Sequence, residues 1–226
     1  MSLSLKIKER IIIALDTDNL KTAESLVKKL LSHVEYFKIG LELATAAGTP
    51  QAVRMIHKLG GKVFYDGKFN DIPNTVGGAA RAISNLGVNM FDIHASSGPE
   101  AIRAAVKNKG GSKVLGVTVL TSLHEKGDRV LKFAEILRQE KADGIICSPW
   151  EIKLIKKYKK FNQLLVVTPG IRPKWALADD QKRFVTPKEA FLAGADYLII
   201  GRPITNPPAS VGTPLEAIKL IYKELK

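Results

Sequence analysis

The sequence predicts an α/β protein, a (β/α)8 TIM barrel built as one domain over residues 1–226. Short β-branched apolar runs begin near Ile11, Tyr36, Val63, Met90, Val114, Gly144, Leu165 and Tyr197, and each precedes a segment of helical periodicity. The runs are almost continuously apolar, as strands are when helices cover a parallel sheet. The connections are lopsided. Helix-to-strand turns are tight and glycine-rich (Gly60-Gly61, Gly87-Val88-Asn89, Lys109-Gly110-Gly111, Gly194-Ala195-Asp196). Three strand-to-helix connections are long: Leu120 to Asp128, Gly170 to Thr186, and Pro203 to Gly212. In a barrel the strand-to-helix face carries the active site, and long irregular loops there are often binding loops.

In chain order, the first strand leads to a helix whose stripe is Leu20, Ala23, Leu26, Val27, Leu30 and Leu31. The second strand ends on Lys38. The third, Val63-Phe64-Tyr65, runs into Asp66-Gly67-Lys68 and then Asp71-Ile72-Pro73. Side chains two apart on a strand share a face, so Asp66 and Lys68 point the same way if strand geometry persists. The fourth strand closes with Asp92-Ile93-His94, where His94 is either a pocket residue or a hydrogen-bonded rim histidine. The sixth holds Cys147, a small core residue, and precedes a stripe of Trp150, Leu154, Ile155 and Tyr158; Trp150 and Trp175 are expected to pack. The last helix sets Leu215, Ile218, Ile221 and Leu225 against Lys219, Lys223 and Lys226.

Length and composition agree with one large globular domain: 226 residues, 45% hydrophobic and 25% charged. One cysteine excludes an internal disulfide, and no Cys/His cluster has zinc spacing. Residues 1–10 lack an apolar signal core, and no apolar run is long enough to span a bilayer. A cytoplasmic protein without a membrane partner is expected. The net charge of +13 suits nucleic acid, anionic lipid or a phosphorylated substrate. The densest cluster, Lys153, Lys156, Lys157, Lys159 and Lys160, does not interleave its aromatics in a nucleic-acid-like stacking pattern and reads as a solvated helix face. No nucleic-acid partner is expected.

The strand ends carry the chemistry. In order they are Asp16, Lys38, Asp66 with Lys68, His94, Thr118 to Ser122, Ser148, Gly170 to Arg172, and Gly201-Arg202. Any one pair reads equally as a structural ion pair; the accumulation at one rim points to an active site. Gly170-Ile171-Arg172 after strand seven and Gly201-Arg202 after strand eight fit a phosphate site, since glycine admits an anion close to the backbone and arginine offers a fork of donors. The plainer alternative is a turn glycine beside a surface arginine. No GxGxxG or GxxxxGK[ST] pattern occurs.

Together these motifs resemble the orotidine 5′-phosphate decarboxylase family. The resemblance runs from Ile12-Ile13-Ala14-Leu15-Asp16 to Gly201-Arg202-Pro203-Ile204, through Phe37-Lys38-Ile39-Gly40, Asp66 to Thr75, Thr118 to Ser122, Thr168 to Arg172 and Asp180-Gln181. Its most specific part is D-x-K-x-x-D-I-P. The resemblance implies a homodimeric barrel that takes orotidine 5′-monophosphate (OMP) to UMP without metal or organic cofactor. It implies that Lys68, Asp66 and Lys38 act with an Asp71 supplied by the other subunit. Asp16 and Lys38 are implied at the ribose and Thr121 at the pyrimidine. Arg172, Gln181, Gly201 and Arg202 are implied at the phosphate and closing loop, and Thr75 among the substrate-binding positions. The loop carrying Asp180-Gln181 is the expected lid. Gly67 and Asn70 depart from the family pattern, which favours a larger residue and a histidine there.

Two alternatives remain at this stage. A sister enzyme on the same scaffold, a sugar-phosphate decarboxylase or hexulose-phosphate aldolase, would use Mg²⁺; Lys38, where those relatives carry glutamate, would repel the ion. A non-catalytic polyanion-binding module would fit the net charge but gives no reason for aspartates around Lys68.

Overall fold

The computed structural model describes residues 7–120, 127–176 and 185–225. Eight parallel strands close in sequence order into a barrel. The elements are β1 (Ile11–Ala14), α1 (Leu20–Leu30), β2 (Tyr36–Ile39), α2 (Leu41–Ala47), α3 (Thr49–Lys58), β3 (Lys62–Phe69), α4 (Pro73–Asn85), β4 (Met90–His94), α5 (Pro99–Lys107), β5 (Lys113–Val117), α6 (Gly127–Gln139), β6 (Gly144–Ile146), α7 (Ile152–Lys156), β7 (Leu165–Thr168), α8 (Pro187–Ala193), β8 (Tyr197–Ile200), α9 (Arg202–Thr205) and α10 (Pro214–Glu224). The seam between β1 and β8 pairs Ile11 with Leu198, Ile12 with Ile199 and Ile13 with Ile200.

Alternation along the strands sorts the core into two layers. Ile12, Tyr36, Phe64, Met90, Leu115, Ile146, Val167 and Ile199 fill the barrel interior. The intervening residues, among them Ile11, Ile13, Phe37, Val63 and Phe91, face outward and pack with the helices in a second, larger cluster. At the N-terminal end of the barrel Tyr36 and Tyr197 meet edge to face with ring centroids 5.7 Å apart, and Lys62 lies over the Tyr36 ring. The same alternation sends the next inward positions, Asp16, Lys38, Asp66 and Asp92, to the C-terminal mouth.

Local sequence explains the helix ends. Asn19 accepts hydrogen bonds from the N–H groups of Lys21 and Thr22 at the start of α1. Thr186 with Glu189 and Thr213 with Glu216 form capping boxes on α8 and α10. The tight return turns rely on glycines at positive φ, such as Gly194 at 109° after α8.

One packing expectation needs correction. After β6 the buried side chains are Ile152 and Ile155, whereas Trp150 is 63% exposed and Tyr158 also faces solvent. A short 3-10 turn over Pro149–Glu151 precedes α7 and rotates Trp150 off the helical stripe. Trp175 does pack against the core. In the lysine cluster, Lys156 pairs with Asp196 at 3.2 Å and Lys160 with Glu135 at 2.9 Å. No helix among the described residues is long and apolar enough to cross a membrane.

Candidate active site

A cavity of about 310 Å³ opens at the C-terminal mouth of the barrel. One wall is charged and comes from β1 to β4: Asp16, Lys38, Asp66, Lys68 and Asp92. A second wall, from β5, β6 and β8, is apolar, with Val117, Ile146 and Ile199. A third is the pair of glycine–arginine loops, Gly170 to Arg172 and Gly201-Arg202.

The charged wall is a chain of ion pairs. Lys38 Nζ lies 3.0 Å from Asp66 Oδ2 and 3.3 Å from Asp16 Oδ1. The other Asp66 oxygen pairs with Lys68 Nζ. Lys38 and Asp66 are buried, so neither charge is tolerable alone. Burial by itself would raise Asp66; the Lys38 charge, a hydrogen bond with Asp92 and the Lys68 charge outweigh it and bring Asp66 down to about 2. For Lys38 burial acts downward, and the charges of Asp66 and Asp16 overcome it to give a net rise. Gly40 leaves room for this arrangement, because a Cβ there would stand 2.8 Å from Lys38 Nζ.

Lys68 reaches Asp66 by a route that regular strand alternation does not provide. Between Tyr65 and Phe69 the β3–β4 register shifts, and Lys68 adopts left-handed backbone with φ of 49°. Its N–H donates to Asp92 Oδ1 at 2.8 Å. The shift also accounts for Gly67: a Cβ at that position would collide with the edge of the Tyr65 ring. Asn70, the second departure, accepts a hydrogen bond from Ser97 Oγ at 2.8 Å and ties the end of β3 to the loop after β4.

Asp92 was missed by the sequence reading, which stopped at His94. The inward alternation Met90, Asp92, His94 was the available signal. His94 is half-buried and lies outside the cavity lining. Burial lowers its pKa and the neighbouring Lys68 lowers it further.

Other expected positions separate into three groups. Arg172, Gly201 and Arg202 line the cavity. Gly201 packs against β1, where a Cβ would stand 3.3 Å from Asp16 Oδ2. Asp71 and Thr75 are exposed and away from this cavity; the Asp71 carboxylate accepts the Ile72 N–H at 2.7 Å. Thr121 and Gln181, with the rest of the Asp180-Gln181 stretch, lie outside the described residues. Some of the polar strand ends serve the backbone: Thr118 Oγ1 donates to the Ile146 carbonyl, Thr168 Oγ1 to the Cys147 carbonyl, and Ser148 caps the turn before α7. Cys147 lines the cavity, but burial pushes its thiol up to about 12, so it is not a nucleophile at neutral pH.

No three His, Cys, Asp or Glu side chains converge as a metal site among the described residues. The Lys38 ammonium lies between the Asp16 and Asp66 carboxylates.

A closed parallel barrel with an ammonium–carboxylate chain at its C-terminal mouth is the architecture of a (β/α)8-barrel enzyme. Residues 9–216 match the model of the orotidine 5′-phosphate decarboxylase / HUMPS family, and the chain belongs to that family. It is 41% identical over 240 residues to the orotidine 5′-phosphate decarboxylase of Moorella thermoacetica, covering 97% of this chain and 93% of the relative. It is 44% identical to that of a Geobacter species over 96% of both chains. Among solved structures, the orotidine 5′-phosphate decarboxylase of Lactobacillus acidophilus superposes with a TM-score of 0.81 at 31% identity, covering 96% of this chain and 99% of the other.

Proposed function

We propose that this chain is a carboxy-lyase that converts OMP to UMP and CO₂ in pyrimidine biosynthesis. The observation that carries the reading is the bracket around Asp66, with Lys38 on one carboxylate oxygen and Lys68 on the other. When the bond from C6 of the pyrimidine to its carboxylate breaks, the electron pair stays on C6 and CO₂ leaves. No adjacent carbonyl delocalises that pair, so a fixed cation beside C6 must stabilise it. Lys68 supplies the cation and then a proton to C6, and the neutral amine is reprotonated from solvent. Asp66 keeps Lys68 charged and aimed, and Lys38 keeps Asp66 ionised. Asp16 and Lys38 meet the ribose, while Arg172, Gly201 and Arg202 hold the phosphate. Thr121 at the base and Gln181 at the closing loop complete the proposed contacts.

The same reading makes the enzyme a homodimer of one-domain barrels, working in the cytoplasm on a nucleotide of central biosynthesis. The support is local. Asp71 and Thr75 face away from their own cavity, and beside them Ile72 is 65% exposed. A second copy covering this segment buries Ile72 and delivers Asp71 and Thr75 to the neighbouring cavity.

The test is UMP formation from OMP with and without EDTA. Full turnover in chelator is expected. Absence of UMP formation overturns the proposal in favour of a sister enzyme of the same family, and turnover that falls to background in chelator and returns with Mg²⁺ overturns the metal-free chemistry.

A further inference from the structure

Asp92 is fully buried, yet it lines the cavity. On β3 the residues Tyr65 and Phe69 pair with Phe91 and Ile93, so Asp66, Gly67 and Lys68 together face Asp92 alone. Left-handed backbone at a lysine persists only where the surroundings hold it. Here the holding contact is the Lys68 N–H donated to Asp92 Oδ1 at 2.8 Å. Asp92 Oδ2 is buried and meets no donor. Asp66 faces Asp92 across this register shift, and the two carboxyl groups act on each other. Two carboxylates share a hydrogen bond only through a proton. Asp66 has an ammonium on each oxygen and keeps its charge, which leaves the proton to Asp92.

We propose that Asp92 is a positioning residue for the decarboxylation: held as the neutral acid, it donates to Asp66 and accepts the Lys68 N–H, and so fixes the backbone that aims the Lys68 ammonium. The inference rests on the decarboxylase reading of the site. Burial pushes the Asp92 carboxyl well above the usual range, and the charge of Asp66 and the hydrogen bond to it act in the same direction. Asp66 and Lys68 face it from β3, Lys38 of β2 shares the cavity, and His94 follows on β4. Its register partner Leu115 and the neighbouring Gly116 and Val117 of β5 carry no titratable group.

Asparagine is the uncharged isostere of this acid and keeps both hydrogen bonds; leucine keeps neither. Asp92→Asn is expected to hold kcat within about threefold of wild type, while Asp92→Leu loses about 100-fold in kcat with KM little changed. The thermal stability of both proteins is measured from pH 4 to 8. A carboxyl that is neutral only when folded takes up a proton on folding above pH of about 4, so wild type loses stability as pH rises and Asp92→Asn does not. The Tm advantage of Asp92→Asn is therefore expected to widen by several degrees across that range. A flat Tm difference overturns the neutral-acid assignment. An Asp92→Asn kcat as low as that of Asp92→Leu, or an unimpaired Asp92→Leu, overturns the positioning role. If Asp92→Leu does not fold, Asp92→Asn and the pH series decide. Absence of OMP turnover by wild type overturns the decarboxylase reading instead, and the Tm series still judges the protonation of Asp92.

Discussion

Lys38 and Lys68 divide the two oxygens of Asp66 between them, with Lys38 Nζ 3.0 Å from Oδ2 and Lys68 Nζ on Oδ1. Neither lysine replaces the other: Lys38 comes from a regular strand and is anchored a second time by Asp16, whereas Lys68 has the single carboxylate and a strained backbone beneath it. This difference supports the proposed roles, with Lys38 fixing charge and Lys68 reacting.

Lys68→Ala removes the cation and the proton donor together. We expect kcat to fall by at least ~10³-fold while UMP affinity changes by less than ~10-fold, because the phosphate and ribose contacts are untouched. Single-turnover kinetics with calorimetric UMP titration check this. A parallel collapse of UMP binding contradicts the division of roles.

Arg202→Ala acts at the other end of the cavity. Losing a charge-assisted contact to a phosphate is expected to raise KM by ~10–100-fold. A truncated substrate lacking the phosphate should be insensitive to the change. Equal losses with and without the phosphate exclude Arg202 from that site.

Gly67→Ala tests the bulge. Gly67 is not in left-handed backbone, so the nearest obstacle is the Tyr65 ring. Overpacking of this kind should cost about 1–3 kcal/mol of stability by urea denaturation. In a Tyr65→Leu background the added methyl should cost less. An alanine accepted without loss shows that the ring moves freely and that the bulge is not sterically fixed.

Acid should dissolve the charged wall in a defined window. Asp66 sits at about 2 when folded, below its ordinary value near 3.8. A depressed folded value stabilises the protein above the unfolded value and loses that stabilisation as pH falls towards the folded one. The contribution is about 2 kcal/mol, and it fades between about pH 4 and 2. The stability gap between wild type and Asp66→Asn, followed by chemical denaturation, should be full at pH 6 and narrow across that window. A gap independent of pH removes the ion-pair account.

The barrel was legible because its signal is redundant. Each strand is an apolar run, and the eight observed strands start at or within one residue of the runs read from the chain. The charged wall was legible in part. Lys38 and Asp66 follow from alternation; Lys68 meets Asp66 as alternation suggests, but through a register shift and a positive φ that leave no periodic trace in sequence. Asp92 was hidden by its apolar surroundings, where an acid between Phe91 and Ile93 reads as part of a strand until the inward face is traced. Trp150 misled for the opposite reason, since helical spacing was extended across a residue that belongs to a 3-10 turn. Asp71 and Thr75 are exposed and outside the cavity lining, and their assignment rests on the proposed dimer.

The tyrosine plug of Tyr36 and Tyr197 sits at the opposite end of the barrel from Asp66, with a layer including Ile12, Phe64, Met90 and Ile199 between them. Neither tyrosine belongs to the cavity lining, so this floor adds packing without touching the mouth. Substitutions in that floor are expected to shift stability more than turnover.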